Sequence, residues 1–278
     1  MYDIQLEING KKLRMNSNSG YYISTISGLT GVTANLELSQ SNSGIGESFS
    51  GGSVKGISLQ VKGKILDGQT DKKQALLDTV VPLGTGTLSL YEKSGEISGR
   101  AKPYRVTDIV VKSTPTITQE RNSKFAFTLY APSPAWREAT VKTVGLDGLA
   151  SAPTAVTVAG QVPADYTLKI SVTTATKLKE FTLYQDFPDA VYGKYLYVDF
   201  RKWNADGVSR NDKILIKQPN GRLSMTINGV NANRCIWTQS GMPRLDVGTH
   251  KMLFRAAAAS TATLEFAPSY IGVVYNGV

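Results

Sequence analysis

The sequence predicts a mainly β protein of two domains, with one short helix in the first. Charged residues make up only 19% of the chain while Ser, Thr and Gly are abundant, a balance that suits short strands and turns. Apolar residues recur at every second position in many separate stretches, the period of half-buried strands. Pro132 and Pro134 break that pattern near the middle of 278 residues, a length comfortable for two cores. The expected domains are residues 1–133 and 134–278.

The first element is a hairpin. Ile4, Leu6 and Ile8 alternate, Asn9-Gly10 supplies a pair suited to a type I′ turn, and Leu13 and Met15 resume. Strands are expected at Tyr21–Ile26 and Val32–Leu38. The polar, glycine-rich residues 41–53 read as a loop or a long turn, with Ile45 and Phe49 as isolated apolar anchors. Such a segment gains order only against a partner. Ile57, Leu59, Val61 and Ile65 mark a clear strand. A helix follows, with Asp71 as cap, Gln74 three residues on, an apolar stripe from Ala75 to Val80, and Pro82 and Gly84 to end it. Leu88–Leu90, Tyr104–Val111 and Phe125–Leu129 return to strand periodicity.

Beyond Ala131–Trp136, strands are expected at Ala155–Val158, Leu168–Val172, Phe181–Leu183, Lys194–Phe200, Ile214–Ile216, Leu223–Ile227, Leu253–Ala256 and Thr263–Phe266. Asn220-Gly221 and Asn228-Gly229 supply tight turns. Short strands with regular turns indicate a β-sandwich.

The residue inventory argues against catalysis. His250 is the single histidine and reads as part of a solvated turn. A triad would have to use it, and no G-x-S-x-G elbow supports one. One Cys and one His exclude an ordinary zinc site, and no phosphate-cradling glycine loop occurs, so no cofactor is expected. Cys235 rules out an internal disulfide and is expected at a half-buried strand position. Asp206 and Asp212 flank a loop where Ca²⁺ binding is conceivable, without EF-hand spacing. Asp186, Asp189 and Asp199 lie among aromatic residues, which leaves open a carboxylate-based glycosidase. A second alternative is a saccharide-binding face built from Tyr192, Tyr195, Trp203 and Trp237.

The net charge of +9 is spread evenly, with 15 basic against 11 acidic residues in 1–133 and 16 against 11 in 134–278. No RNA-recognition motif accompanies it, so a solvated surface is the expectation. The opening Met1-Tyr2-Asp3-Ile4 shows no signal peptide, and no apolar stretch reaches membrane-spanning length, so a protein made in a reducing cytoplasm without membrane insertion is expected.

The order of these segments resembles a known family. Tyr22–Gly31 precedes the glycine-rich loop, then come Gly56–Ile65, the short helix, Leu88–Tyr91, Arg100–Val106 and Phe125–Pro134. Together they are similar to the N-terminal domain of distal tail proteins of long, flexible-tailed bacteriophages. Leu245–Phe254 followed by Ala262–Tyr270 resembles the last strands of that family's C-terminal domain. The resemblance implies a first domain that builds a homo-hexameric ring with a hairpin arm reaching a neighbouring subunit, to which Ile45 and Phe49 would belong. It implies a galectin-like (jelly-roll) second domain. The implied partners are the tail tube protein and a tail-associated baseplate or fibre protein, with DNA crossing the ring channel. The implied location is the virion, after assembly in the host bacterial cytoplasm, and the implied role is structural.

Overall fold

The computed structural model describes residues 2–31, 33–40, 47–66, 69–91, 103–186, 195–218, 223–238 and 244–271. The chain forms two compact units: Met1–Ala139 with Tyr270–Val278, and Thr140–Ser269.

The first unit contains strands β1 (Ile4–Ile8), β2 (Lys11–Met15), β3 (Tyr21–Ser27), β4 (Ala34–Gln40), β5 (Glu47–Val54) and β6 (Ile57–Ile65), then helix α1 (Thr70–Thr79). Strands β7 (Thr85–Tyr91), β8 (Pro103–Val111), β9 (Thr116–Ile117), β10 (Lys124–Ala131) and β11 (Ala135–Glu138) follow. The main sheet runs β2-β1-β7-β8-β10-β6-β3, with β9 on β10 and β11 on β8. Strands β2 and β3 are its two edges, yet only residues 16–20 join them. That link reaches at most about 21 Å, whereas six flat strand spacings would need about 29 Å. The sheet therefore curls until its edges approach, and Ile4, Leu6, Leu59, Val61, Phe127 and Leu129 fill the interior. Helix α1 adds Leu76 to that core.

The β1–β2 hairpin turns where expected, with Asn9 at φ 49° and Gly10 at φ 80°. Asp71 does not cap α1. The cap position is Gln69, in extended backbone and without a side-chain bond; Asp71 lies inside the first turn, and Gln74 instead donates to Asp78 Oδ1 at 2.7 Å. Residues 47–53, read as loop, belong to β5. It pairs with β4 in a two-stranded sheet separate from the others, with Leu38 opposite Phe49. Ile45 lies outside the described residues.

The proline pair does not close the first unit. Trp136, two residues after Pro134, is fully buried in its core, and β11 pairs with β8 through Arg137–Val106 and Glu138–Arg105. The chain returns to this unit in β22 (Ser269–Ile271), which pairs with β11. Tyr270 donates its hydroxyl to Glu138 Oε1 at 2.9 Å, and the Arg105 guanidinium lies 4.2 Å from its ring centre.

The second unit stacks two sheets on one core. Strands β12 (Lys142–Asp147), β13 (Thr154–Val158), β14 (Tyr166–Val172), β15 (Glu180–Gln185) and β16 (Tyr195–Asp199) come first. Then come β17 (Ile214–Lys217), β18 (Ser224–Ile227), β19 (Val230–Asn231), β20 (Gly248–Ala256) and β21 (Ser260–Phe266). One sheet runs β12-β21-β14-β17-β18-β19 and the other β13-β20-β15-β16. Leu168, Ile170 and Leu264 of the first meet Leu183, Val198 and Phe254 of the second. Each of the eight strands expected beyond Trp136 is present, and β12 and the short β19 are additions to this unit. Asn228 at φ 53° and Gly229 at φ 81° form the expected tight turn; Asn220-Gly221 lies outside the described residues.

Trp136 Nε1 is buried without a hydrogen-bond partner. Trp136→Phe keeps the packing and removes the orphan donor, so its cost should stay under about 1.5 kcal/mol. Trp136→Ala should cost about 3–5 kcal/mol through the cavity it leaves. Urea unfolding of both variants measures the difference.

Candidate interaction surfaces

Chemistry in the second unit begins with alternation along β15 and β16. Phe181, Leu183, Leu196 and Val198 point into the core, so Glu180, Thr182, Tyr184, Tyr195, Tyr197 and Asp199 share the outer face. Cross-strand register sets Glu180 opposite Asp199, Thr182 opposite Tyr197, and Tyr184 opposite Tyr195. The Tyr184 and Tyr195 rings sit 6.3 Å apart. Trp237 joins the row: its backbone N–H donates to Tyr197 O at 3.0 Å, and its ring meets that of Tyr197 edge-on at 6.0 Å.

Arg201 holds the polar end of this face. It donates to Glu180 Oε2 at 2.6 Å and, through Nε, to Asp199 Oδ1 at 2.8 Å. The Tyr197 hydroxyl donates to the same Glu180 oxygen at 2.7 Å. Partial burial, then the bond to Glu180, raises the Tyr197 pKa, and the Arg201 bond lowers that of Asp199.

Of the four aromatic residues expected to meet saccharide, Tyr195 and Trp237 share this face. Trp203 does not. It packs against the core, with the Arg234 guanidinium 5.2 Å from its ring centre. Tyr192 lies outside the described residues. Tyr197 was legible in the 195–197–199 alternation but not singled out by it.

The acid pairs are otherwise engaged. Asp199, held ionised by Arg201, is the opposite of the raised-pKa acid a glycosidase needs. Asp186 accepts from Lys251 N and contacts His250 Nδ1 at 3.2 Å, and Asp189 lies outside the described residues. Asp206 is bound by Lys177 Nζ at 3.0 Å, which lowers its pKa. Asp212 accepts from Ser209 N, Ser209 Oγ and Asn228 Nδ2 and so braces a turn. Among the described residues no group of three His, Cys, Asp or Glu side chains is placed to hold a metal.

His250 is not in a solvated turn. It lies in β20 and is 8% exposed. Its Nε2 reaches Asp246 O at 2.8 Å, while Nδ1 faces Gln185 Nε2 at 3.1 Å and Asp186. With both ring nitrogens occupied, the imidazole is positioned as a brace and not as a base facing a nucleophile. Gln185 completes the brace: its amide donates to Arg244 O at 2.7 Å and accepts from Arg244 N at 2.8 Å, acting as one rung of a ladder. Cys235 is fully buried in a 3-10 turn, Asn233–Cys235, and burial raises its thiol pKa, which keeps it inert. Gln185→Leu would strand both Arg244 backbone groups and should cost about 2–4 kcal/mol in chemical denaturation.

The sequence matches no family model and no curated protein. Solved structures do resemble the fold. One is the Dit protein of phage SPP1, titled a paradigm of the hub adsorption apparatus in Gram-positive infecting phages. It aligns with a TM-score of 0.66 at 15% identity, covering 96% of this chain and 98% of that one. A chain of the phage P2 baseplate, in its activated conformation with Ca, aligns with a TM-score of 0.54 at 9% identity, covering 98% and 100%. Along nearly its whole length, the chain has the fold of these phage proteins.

Proposed function

We propose that this chain is a structural component of a bacteriophage tail tip. Six copies form a ring that joins the tail tube to the adsorption apparatus, and the ring works without catalysis in the virion. The observation that carries this reading is the match of fold over both units to a hub protein. The β4–β5 hairpin supports it: an isolated two-stranded hairpin is marginal in water and needs a surface to cover it. The first unit, about residues 1–139, supplies the ring, and the second unit is a galectin-like sandwich. The positive charge suits a channel that DNA crosses.

Negative-stain imaging and mass photometry of the purified protein should find closed rings. Replacing residues 34–54 by a short Gly-Ser turn should leave folded monomers with an unchanged melting temperature. Monomers in the wild type at every concentration would refute the ring.

A second reading adds saccharide binding on the Tyr195–Tyr197–Trp237 face, where aromatic rings adjoin charged hydrogen-bonding groups. Titration with cell-wall polysaccharide should then shift tryptophan fluorescence, and Trp237→Ala should abolish the shift. A flat titration removes this reading and leaves the ring untouched.

A further inference from the structure

Lysine placement on the first unit is unusual. Strand β6 reads Val61-Lys62-Gly63-Lys64-Ile65, and its inward positions are Val61, Gly63 and Ile65. Lys62 and Lys64 therefore stand together on the outer face. Strand β10 sets Lys124 directly opposite Lys64, and Ala126 opposite Lys62. Like charges in directly opposed cross-strand positions are destabilising. All three lysines are exposed, and among the described residues no ion pair holds any of them.

The hydroxyls beside them divide the face into two ends. Thr118 Oγ1 accepts from Lys124 N at 2.9 Å, and its own proton has no acceptor among the described residues. Thr118, Lys124 and Lys64 thus line up as donors, which is what an anion requires. Ser24 and Thr116 differ, because they spend their protons on Lys62 O at 3.1 Å and Ala126 O at 3.2 Å.

The second end is a hollow. Ala126 and the bulged Ser24 of β3 are short, so the sheet dips between the lysine stems beside Ile117. The hollow holds about 470 Å³ and is mostly apolar. That volume falls within the roughly 300–1,000 Å³ of small-molecule sites. An inorganic anion would meet the ammonium groups and leave the hollow unfilled. A neutral apolar molecule would fill the hollow and leave Lys64 and Lys124 in mutual repulsion. An acid head carried on an apolar body satisfies both.

We propose that this hollow binds a small amphiphilic anion. Its acid head lies between Lys64 and Lys124 beside Thr118, and its apolar body lies over Ala126 along the Lys62 stem. The site belongs to one copy of the chain, so the inference stands or falls apart from the ring reading.

Decanoate, kept below its micelle concentration and titrated calorimetrically into the full chain, is the probe. It should bind at one site, and more weakly as salt is raised. Hexanoate, four methylenes shorter, should bind about tenfold or more weakly. Two variants separate the ends of the site. K64Q combined with K124Q removes the charges and should weaken decanoate about tenfold. Ala126→Leu fills the hollow, keeps every charge, and should weaken it to a similar degree. Both changes face outwards, so neither variant should melt below the wild type.

A flat decanoate titration overturns the proposal. Binding that both variants leave unchanged overturns it too, as does decanol binding as tightly as decanoate. If duplex DNA or anionic vesicles bind and monomeric decanoate does not, the face serves a polyanion or a membrane and the proposal is wrong.

Discussion

Residues 16–20 set the form of the first unit. They tie together β2 and β3, which are neighbours in sequence and opposite edges of the sheet. The link is braced at every step. Ser19 N donates to Asn16 Oδ1 at 2.8 Å, Asn16 N to Ser19 Oγ at 2.9 Å, and Tyr21 N to Asn16 O at 3.0 Å. Asn16 also donates to Asp3, which Arg14 clamps with two bonds of 2.6 and 2.7 Å. The Arg14 guanidinium then covers the ring of Tyr91. A polar cluster on β1, β2 and β7 thus holds the corner that forces the sheet to curl.

Curling also explains why the hairpin must stand apart. The strands of the sheet pair among themselves, and among the described residues β4 and β5 pair only with each other. They emerge through Gly28 and Gly31, both at positive φ, where a side chain on Gly28 would collide with Ser58 O. An arm built on such a pivot has its own ladder but no sheet to lean on. Its stability must come from elsewhere.

The strand pattern was legible because its cause is local. Alternation reports which side of a pleat faces a core, and Asn-Gly reports a backbone with positive φ. Both survive without knowing the partner strand. Strand β5 escaped because Gly51, Gly52 and three serines blur the period. His250 escaped for a different reason: a buried imidazole is acceptable only because Gln185, 65 residues earlier, occupies its Nδ1. Trp136 was seen as a boundary residue, since proline marks where a strand stops, not which core takes the next side chain. Of the aromatic face, Tyr195 was recognised and Tyr197 passed over. Their joint orientation depends on Trp237 arriving from a turn 40 residues away.

Whole-chain charge was the least informative quantity. An excess of +9 reads as a diffuse surface because the average hides its signs. Residues 34–54 hold only acids, whereas the period-two geometry of β6 and β10 collects three lysines on one face. Register makes the second fact unavoidable: a slip by one residue would turn Lys62, Lys64 and Lys124 into the core. Burying Leu59, Val61, Phe127 and Leu129 therefore fixes the lysines outside, in mutual repulsion. The interior that stabilises the unit thereby also sets the sign of the charge on its outer face.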